Sequence, residues 1–299
     1  DGEILGSCPV ASEKTRCCNL LTLDAVENCG YGCAYCTIQS FYDQGRIYFH
    51  QDLQTKLEGL DLDPQKTYHI GTGQSSDSLM WGNRRGLLDT LLDFAASHPN
   101  VFLELKTKSA NIGYLLERKP PKNVITTWSL NSEAIAAHEE RGTASVPERI
   151  AAAERIASAG SLVGFHFHPL IPHQGWREAY KSIFDRLLAG FSPESVAMVS
   201  FGTITYIKPV IRSIRERGEE TQVLRMPLVE SAGKFSYPEE TKIELFRFAY
   251  QSLAPWHDNL FFYLCMEPAH LWEPVFGFAY PDNQAFEEAM KTAYLKKIG

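Results

Sequence analysis

The feature that most restricts the fold of this 299-residue chain is a regular alternation of short β-like runs with amphipathic helical stretches. Such alternation buries parallel strands beneath crossover helices. Strands are expected at 20–26, 67–70, 101–105, 124–128, 162–167 and 196–201. Helices are expected at 87–96, 112–118, from 146 to a stop at Gly160, 176–188 and 210–217. The third of these helices is announced by Ser145-Val146-Pro147-Glu148, a capping box with proline in the first turn. Six βα units predict an α/β fold, a partial (β/α)6 TIM-type barrel over 20–218. An N-terminal lead-in, 1–19, precedes it. A C-terminal α/β extension, 219–299, follows, with helices at 238–253 and 284–297 and a buried strand at 259–266, expected to close or cover the barrel. In barrels of this kind, binding and catalytic residues lie at the C-terminal ends of the strands.

The first strand runs into Cys29-Gly30-Tyr31-Gly32-Cys33-Ala34-Tyr35-Cys36. Iron–sulfur cubes are usually held by four thiolates, so three at tight spacing leave one iron open to another ligand. A structural zinc site is the alternative, but zinc usually takes a fourth Cys or His at short spacing, and this loop has none. Seven cysteines with a clustered trio fit a reducing compartment and a metal, not a disulfide framework. Cys8, Cys17 and Cys18 raise an auxiliary cluster, against which stands the poor geometry of adjacent cysteines as joint ligands.

The chain has 44% hydrophobic and 22% charged residues, an ordinary globular composition. No apolar run reaches the ~18–20 residues of a membrane span. The chain opens at Asp1 without Met or a basic leader, and a cytoplasmic location is expected. A net charge of −7 disfavours nucleic-acid binding, which draws affinity from Lys and Arg against phosphate. Arg84-Arg85, Lys106 with Lys108, and Lys208 with Arg212, Arg215 and Arg217 are the candidate basic faces; solvated helix faces or cofactor contacts are the plainer reading.

Polar motifs fall at the predicted strand ends. Gly71-Thr72-Gly73-Gln74-Ser75-Ser76-Asp77 follows the second strand, where glycines admit a ligand close to the backbone or simply make a turn. Thr107-Lys108 ends the third strand, placing a cation at the barrel mouth or on the surface. Ser129-Leu130-Asn131-Ser132 ends the fourth, with hydroxyl and amide groups for a ligand or an N-cap. The fifth ends in Gly164-Phe165-His166-Phe167-His168-Pro169, followed by His173-Gln174-Gly175-Trp176. His166 and His168 fall on one side of that strand, as metal ligands, a base, or packed polar side chains.

Together these residues resemble the spore photoproduct lyase family of radical S-adenosylmethionine (SAM) enzymes, over roughly 19–188. The resemblance implies a [4Fe–4S] cluster on Cys29, Cys33 and Cys36, with SAM on the open iron. It implies SAM contacts from Tyr35, Gly71, Gly73, Gln74, Ser76, Lys108, Ser129, Asn131 and His168. Cluster and SAM then yield a 5′-deoxyadenosyl radical that abstracts hydrogen from a thymine photoproduct or another nucleobase lesion in DNA. A flavodoxin- or ferredoxin-type one-electron donor is implied, and no membrane. The hydrogen-donating cysteine of the family falls at Gln74 here, and of two relay tyrosines Tyr35 is kept while Thr37 replaces the other. Cys265 is a candidate replacement donor, or else a small buried side chain. The departures and the charge leave two competing readings: a radical enzyme acting on a small molecule or peptide, and a non-catalytic iron–sulfur or zinc sensor.

Overall fold

Val196–Phe201 is buried along its whole length and Val101–Thr107 at every position but Lys106, the pattern of strands covered on both faces. Both lie inside one eight-stranded sheet of a computed structural model that describes residues 3–8, 14–42, 45–218, 221–231 and 233–299. Its strands are β1 (Leu5–Ser7), β2 (Leu21–Leu23), β3 (Tyr68–Thr72), β4 (Val101–Thr107), β5 (Val124–Ser129), β6 (Leu162–Phe167), β7 (Val196–Phe201) and β8 (Phe261–Leu264), in that spatial order. From β2 to β8 every pair is parallel, and β1 alone is antiparallel.

The α/β partial barrel expected from the alternation is the fold observed. The six expected strands are all present, and the sheet is wider than six. The lead-in contributes β1 at one edge, and the extension contributes β8, parallel to β7, at the other. The first strand ends earlier than expected, at Leu23. Its remaining residues turn away, so that Val26–Glu27 pairs antiparallel with Tyr48–Phe49.

Crossover helices α1 (Leu53–Glu58), α2 (Leu87–Ser97), α3 (Gly113–Arg118), α4 (Glu133–Glu139), α5 (Val146–Ser158), α6 (Trp176–Gly190) and α7 (Lys208–Glu216) connect the strands. The capping box of α5 forms as expected: Glu148 N–H donates to Ser145 Oγ at 3.4 Å, and Ser145 N–H to Glu148 Oε2 at 2.7 Å. After α7 come α8 (Glu239–Ser252), α9 (Trp272–Phe276) and α10 (Asn283–Ile298). Outward-facing residues of β6 and β7 pack under α6, where Phe167 meets Phe184 at 4.8 Å and Phe201 at 6.1 Å between ring centroids. Burial of each such ring contributes about 2–3 kcal/mol.

At the opposite end of the sheet from the motifs, Asn123 acts as a clamp. Its amide donates to the carbonyls of Ala95 (2.8 Å), His98 (3.1 Å) and Val101 (2.7 Å), tying the end of α2 to the start of β4. Asn123→Leu leaves these carbonyls without that donor and is expected to lower unfolding stability by about 2 kcal/mol. Urea titration checks this, and a loss under about 0.5 kcal/mol, the scale of an ordinary surface change, contradicts it.

Candidate active site

The loop after β2 is held from two sides. Gly32–Cys33 pairs antiparallel with Glu140–Arg141, and Ala34 N–H donates to Glu139 O at 2.7 Å. Arg217, just past α7, donates through Nη2 to Ala34 O at 3.0 Å. These bonds turn the loop over the C-terminal ends of the strands and fold it around a cavity of about 250 Å³.

Cys29, Cys33, Cys36 and Tyr35 line this cavity. So do Gly73 and Gln74 with Ser76 after β3, Lys108 after β4, Ser129 at the end of β5 and His168 after β6. Ten residues singled out in the sequence thus meet in one place. Gly73 has φ +92°, and a Cβ there would lie 2.6 Å from the Lys106 carbonyl, so only glycine lets the chain pass at this point. Burial pushes the Cys29 thiol up to about 11 and that of Cys33 to about 12. Among the described residues no three Cys, His, Asp or Glu side chains are grouped so as to hold a single metal ion. Three thiols with no fourth Cys or His in the loop suit an iron–sulfur cluster with one open iron better than a four-coordinate zinc ion.

Behind the loop lies a buried charge node. The Glu140 carboxylate accepts from the Tyr35 hydroxyl and faces Arg149 Nη2 at 2.6 Å and Lys108 Nζ at 3.8 Å. Burial alone would raise Glu140, but Lys108 and Arg149 hold its carboxyl below the usual range. Lys108 Nζ is also 3.9 Å from Cys33 Sγ and 5.1 Å from the centre of the Tyr35 ring. Burial would lower the Lys108 ammonium, but Cys33, Tyr35 and Glu140 hold it well above its ordinary value, so it stays charged.

Three of the expected residues lie elsewhere. Gly71 is inside β3, where a Cβ would press on the Leu20 side chain at 3.1 Å; its role is packing between β2 and β3. Asn131 is buried, donating to Pro169 O at 3.0 Å and accepting from Tyr180 Oη at 2.5 Å, so it shapes the turn beneath the cavity. Cys265 follows β8, next to Met266 of the cavity wall but not itself on that wall. Burial raises its thiol strongly.

Residues beyond the expected ligand contacts frame the site. Asp77 is a clip: its carboxylate accepts from the N–H groups of Leu79 (3.0 Å), Met80 (2.9 Å) and Lys108 (2.6 Å) and from Thr107 Oγ1 (2.7 Å). It thereby locks the loop after β3 to the end of β4. Ile204, Tyr206 and Met266 complete the far wall, and Tyr206 Oη donates to Tyr35 O at 2.9 Å.

Inside the barrel a hydrogen-bond network joins five strands and reaches the cavity at His168. Glu104 holds His69 Nε2 at 2.8 Å through Oε2, and through Oε1 holds His166 Nε2 at 2.5 Å and Thr127 Oγ1 at 2.8 Å. His166 Nδ1 meets Ser200 Oγ at 2.6 Å, and Ser200 Oγ meets His168 Nε2 at 2.9 Å. Burial alone would raise Glu104, but His166 and His69 hold its carboxyl well below the usual range. Burial lowers His166 and lowers His168 further, so both rest as neutral imidazoles. Only the parity of His166 and His168 was visible in the sequence; Glu104 and Ser200 sit in apolar runs and join the set through strand register, His166 opposite both Ser129 and Ser200.

Sheet and cavity together define a partial α/β barrel with its ligand site at the strand C-termini and a three-thiol loop as one wall. Residues 24–238 match the family model for spore photoproduct lyase, and the chain belongs to that family. It is 30% identical over 152 residues to spore photoproduct lyase of Geobacillus sp. (strain Y412MC61), covering 50% of this chain and 44% of that protein. With the Bacillus subtilis (strain 168) protein it shares 29% identity over 123 residues, 40% of this chain and 36% of that one. The matched stretch thus spans less than half of either curated relative. Among solved structures, spore photoproduct lyase complexed with dinucleoside spore photoproduct superposes with a TM-score of 0.72 at 20% identity, covering 85% of this chain and 78% of that one. Streptococcus suis SuiB bound to S-adenosylmethionine gives 0.54 at 13% identity, covering 90% and 54%.

The buried histidines give a pH prediction. A His whose folded pKa lies below its unfolded value of about 6.5 adds stability above that pH, and loses it as pH falls. His166 and His168 are both of this kind. The melting temperature should therefore fall between about pH 7 and pH 5.5, and His168→Gln should flatten that slope. An unchanged slope in the variant, read by calorimetry, would contradict the assignment.

Proposed function

We propose that this chain is a radical SAM enzyme. One observation carries the reading: three thiols of a single loop and polar groups from four successive strand ends line the same cavity. Cys29, Cys33 and Cys36 would hold a [4Fe–4S] cluster there, which would supply the electron for reductive cleavage of SAM.

The chain's own residues bind and orient. The Lys108 ammonium, fixed between Glu140 and Cys33, pairs with the SAM carboxylate. Open backbone at Gly73 and the Ser76 hydroxyl would receive the SAM ammonium, and Ser129 and His168, on the same lining, would contact its nucleoside. Neutral His168 offers a hydrogen bond without a competing charge, its ring held by Ser200. Ile38, Ile204 and Met266 give an apolar wall that keeps water from a radical. The radical chemistry is the cofactor's, and the protein contributes orientation and exclusion. An external one-electron donor of flavodoxin or ferredoxin type completes the system. We place it in the cytoplasm, consistent with the absence, among the described residues, of a helix long and apolar enough to cross a membrane.

For the substrate, family membership favours a thymine photoproduct or a related nucleobase lesion, presented as an extruded nucleotide because a duplex cannot enter such a cavity. Gln74 favours a second reading. It occupies the cavity wall where the family likeness places a thiol, and an amide does not donate a hydrogen atom as a thiol does. With the net charge of −7, this supports a small-molecule or peptide substrate. A purely sensory iron–sulfur or zinc protein would leave the convergence of Gly73, Ser76, Lys108 and Ser129 without a purpose.

Anaerobically reconstituted protein supplied with dithionite and SAM is expected to release 5′-deoxyadenosine, and Cys33→Ala to abolish release. No product above that control overturns the radical reading. Lys108→Ala should weaken SAM binding about tenfold, the equivalent of about 1.4 kcal/mol. With dinucleoside photoproduct deuterated at C6, label in deoxyadenosine together with thymine supports the lesion reading. Absence of both assigns the activity to a different substrate.

A further inference from the structure

Lys106 and Lys108 both line the cavity, and the proposed function uses only the second. Strand alternation puts Lys106 on the same face of β4 as Glu104. Glu104 points into the barrel, where it holds His69, Thr127 and His166. Lys106 therefore projects inward from the layer above, just before β4 ends at Thr107. The loop after β3 is pinned over it at both ends. A Cβ at Gly73 would meet Lys106 Cβ at 3.0 Å, and Ser78 N–H donates to Lys106 O at 3.1 Å. Gln74, the residue after Gly73, lies on the same cavity lining.

Counter-charges separate the two lysines. Lys108 faces the Glu140 carboxylate at 3.8 Å. Lys106, half-buried, makes no ion pair and no side-chain hydrogen bond among the described residues. The carboxylates of this end of the barrel are committed elsewhere. Glu104 is taken by two histidines and a threonine, Asp77 by four donors, and Glu140 by Tyr35, Arg149 and Lys108. The Lys106 ammonium adds to the burial that lowers His166 and His168, as a cation on the inner face should. Withdrawing a charge from water without a partner is costly, so this lysine marks a place where a counter-ion arrives. The Gln74 side chain is likewise without a hydrogen bond among the described residues, and its amide can donate beside the ammonium.

We propose that Lys106, with the Gln74 amide, binds a singly charged anionic group of the substrate, a carboxylate or a phosphodiester. The inference rests on the radical SAM reading in leaving the SAM carboxylate to Lys108, and adds a second anion that belongs to the substrate itself. One ammonium and one amide suit a single negative charge. A terminal phosphate carries nearly two at neutral pH and would stay half-neutralised. Lys106 is on this account a specificity-determining contact. It anchors one end of the substrate, so that the carbon to be attacked is presented in a fixed position. Gln74 gains a role that an amide can fill, donating a hydrogen bond to the substrate.

The test reads ligand binding, not turnover, by saturation-transfer NMR on the whole reconstituted chain with SAM present. Acetate and dimethyl phosphate are the anionic probes, and acetamide and trimethyl phosphate their neutral counterparts. At least one anion should bind about tenfold more tightly than its counterpart. Lys106→Met should remove that preference, and Gln74→Leu should reduce it; Lys106→Gln replaces Lys106→Met should the latter fail to fold. Dinucleoside photoproduct is then compared with its phosphodiester-bridged form. A gain of about tenfold from the bridge, lost in Lys106→Met, assigns the group to a nucleic-acid backbone. Preference for acetate without that gain assigns it to a carboxylate. Equal binding of charged and neutral probes, or a preference untouched by the Lys106 substitution, overturns the proposal. So does a Lys106→Met protein that loses as much SAM affinity as Lys108→Ala, because Lys106 then belongs to SAM. A protein that keeps the preference yet cleaves no SAM would refute the radical reading and leave the anion site standing, so the two failures are distinguishable.

Discussion

The carboxylate of Glu140 is the fixed point on which the cysteine loop depends. It is buried beside two cations, Lys108 and Arg149, and takes the Tyr35 hydroxyl as well. Removing one partner of a buried charge set costs about 3–5 kcal/mol, because the other charges are stranded. The arrangement is therefore stiff, and each partner inherits that stiffness. Arg149 passes it to β5 through Ser129 O at 2.9 Å, and to the loop before α5 through Ala144 O at 2.8 Å. Tyr35 passes it to Cys33 and Cys36 on either side. A Gly-containing loop carrying three cysteines is thus referenced to the sheet itself.

A second rigid element approaches the cavity from below. The chain from His69 through Glu104, His166 and Ser200 to His168 has two self-consistent proton arrangements, with the Ser200 proton directed to His166 or to His168. The first leaves His166 neutral and is favoured by its burial. In either arrangement the His168 ring is held in place by groups on neighbouring strands, so its orientation toward a ligand is set before any ligand arrives. Preorganisation of this kind is what a reactive intermediate requires, since its lifetime allows no rearrangement.

The barrel was legible in the sequence because parallel strands buried on both faces leave unbroken apolar runs, and because Ser145-Val146-Pro147-Glu148 marks a helix start with two independent signals. Most site residues were legible because such barrels gather ligand contacts at strand ends. Gly71 and Asn131 were not separable from true cavity residues on that basis. Gly71 falls just inside β3 and Asn131 just past β5, and only the packing of Leu20 and the hydrogen bonds to Pro169 and Tyr180 show that they are apart from the cavity lining. Glu104, Glu140 and Arg149 went unseen for the opposite reason: each is a charged residue whose meaning comes from a partner many residues distant. Nothing in the local sequence reports such pairing.

The central claim is that the three-thiol loop leaves one iron for SAM, with Lys108 guiding its carboxylate. Electron–nuclear double resonance on the reduced, reconstituted protein tests this directly, with SAM labelled by 17O in the carboxylate and 15N in the amino group. The account predicts hyperfine coupling from both labels to the cluster, and loss of the 17O coupling in Lys108→Ala. A cluster that forms fully yet shows no coupling to either label would contradict it.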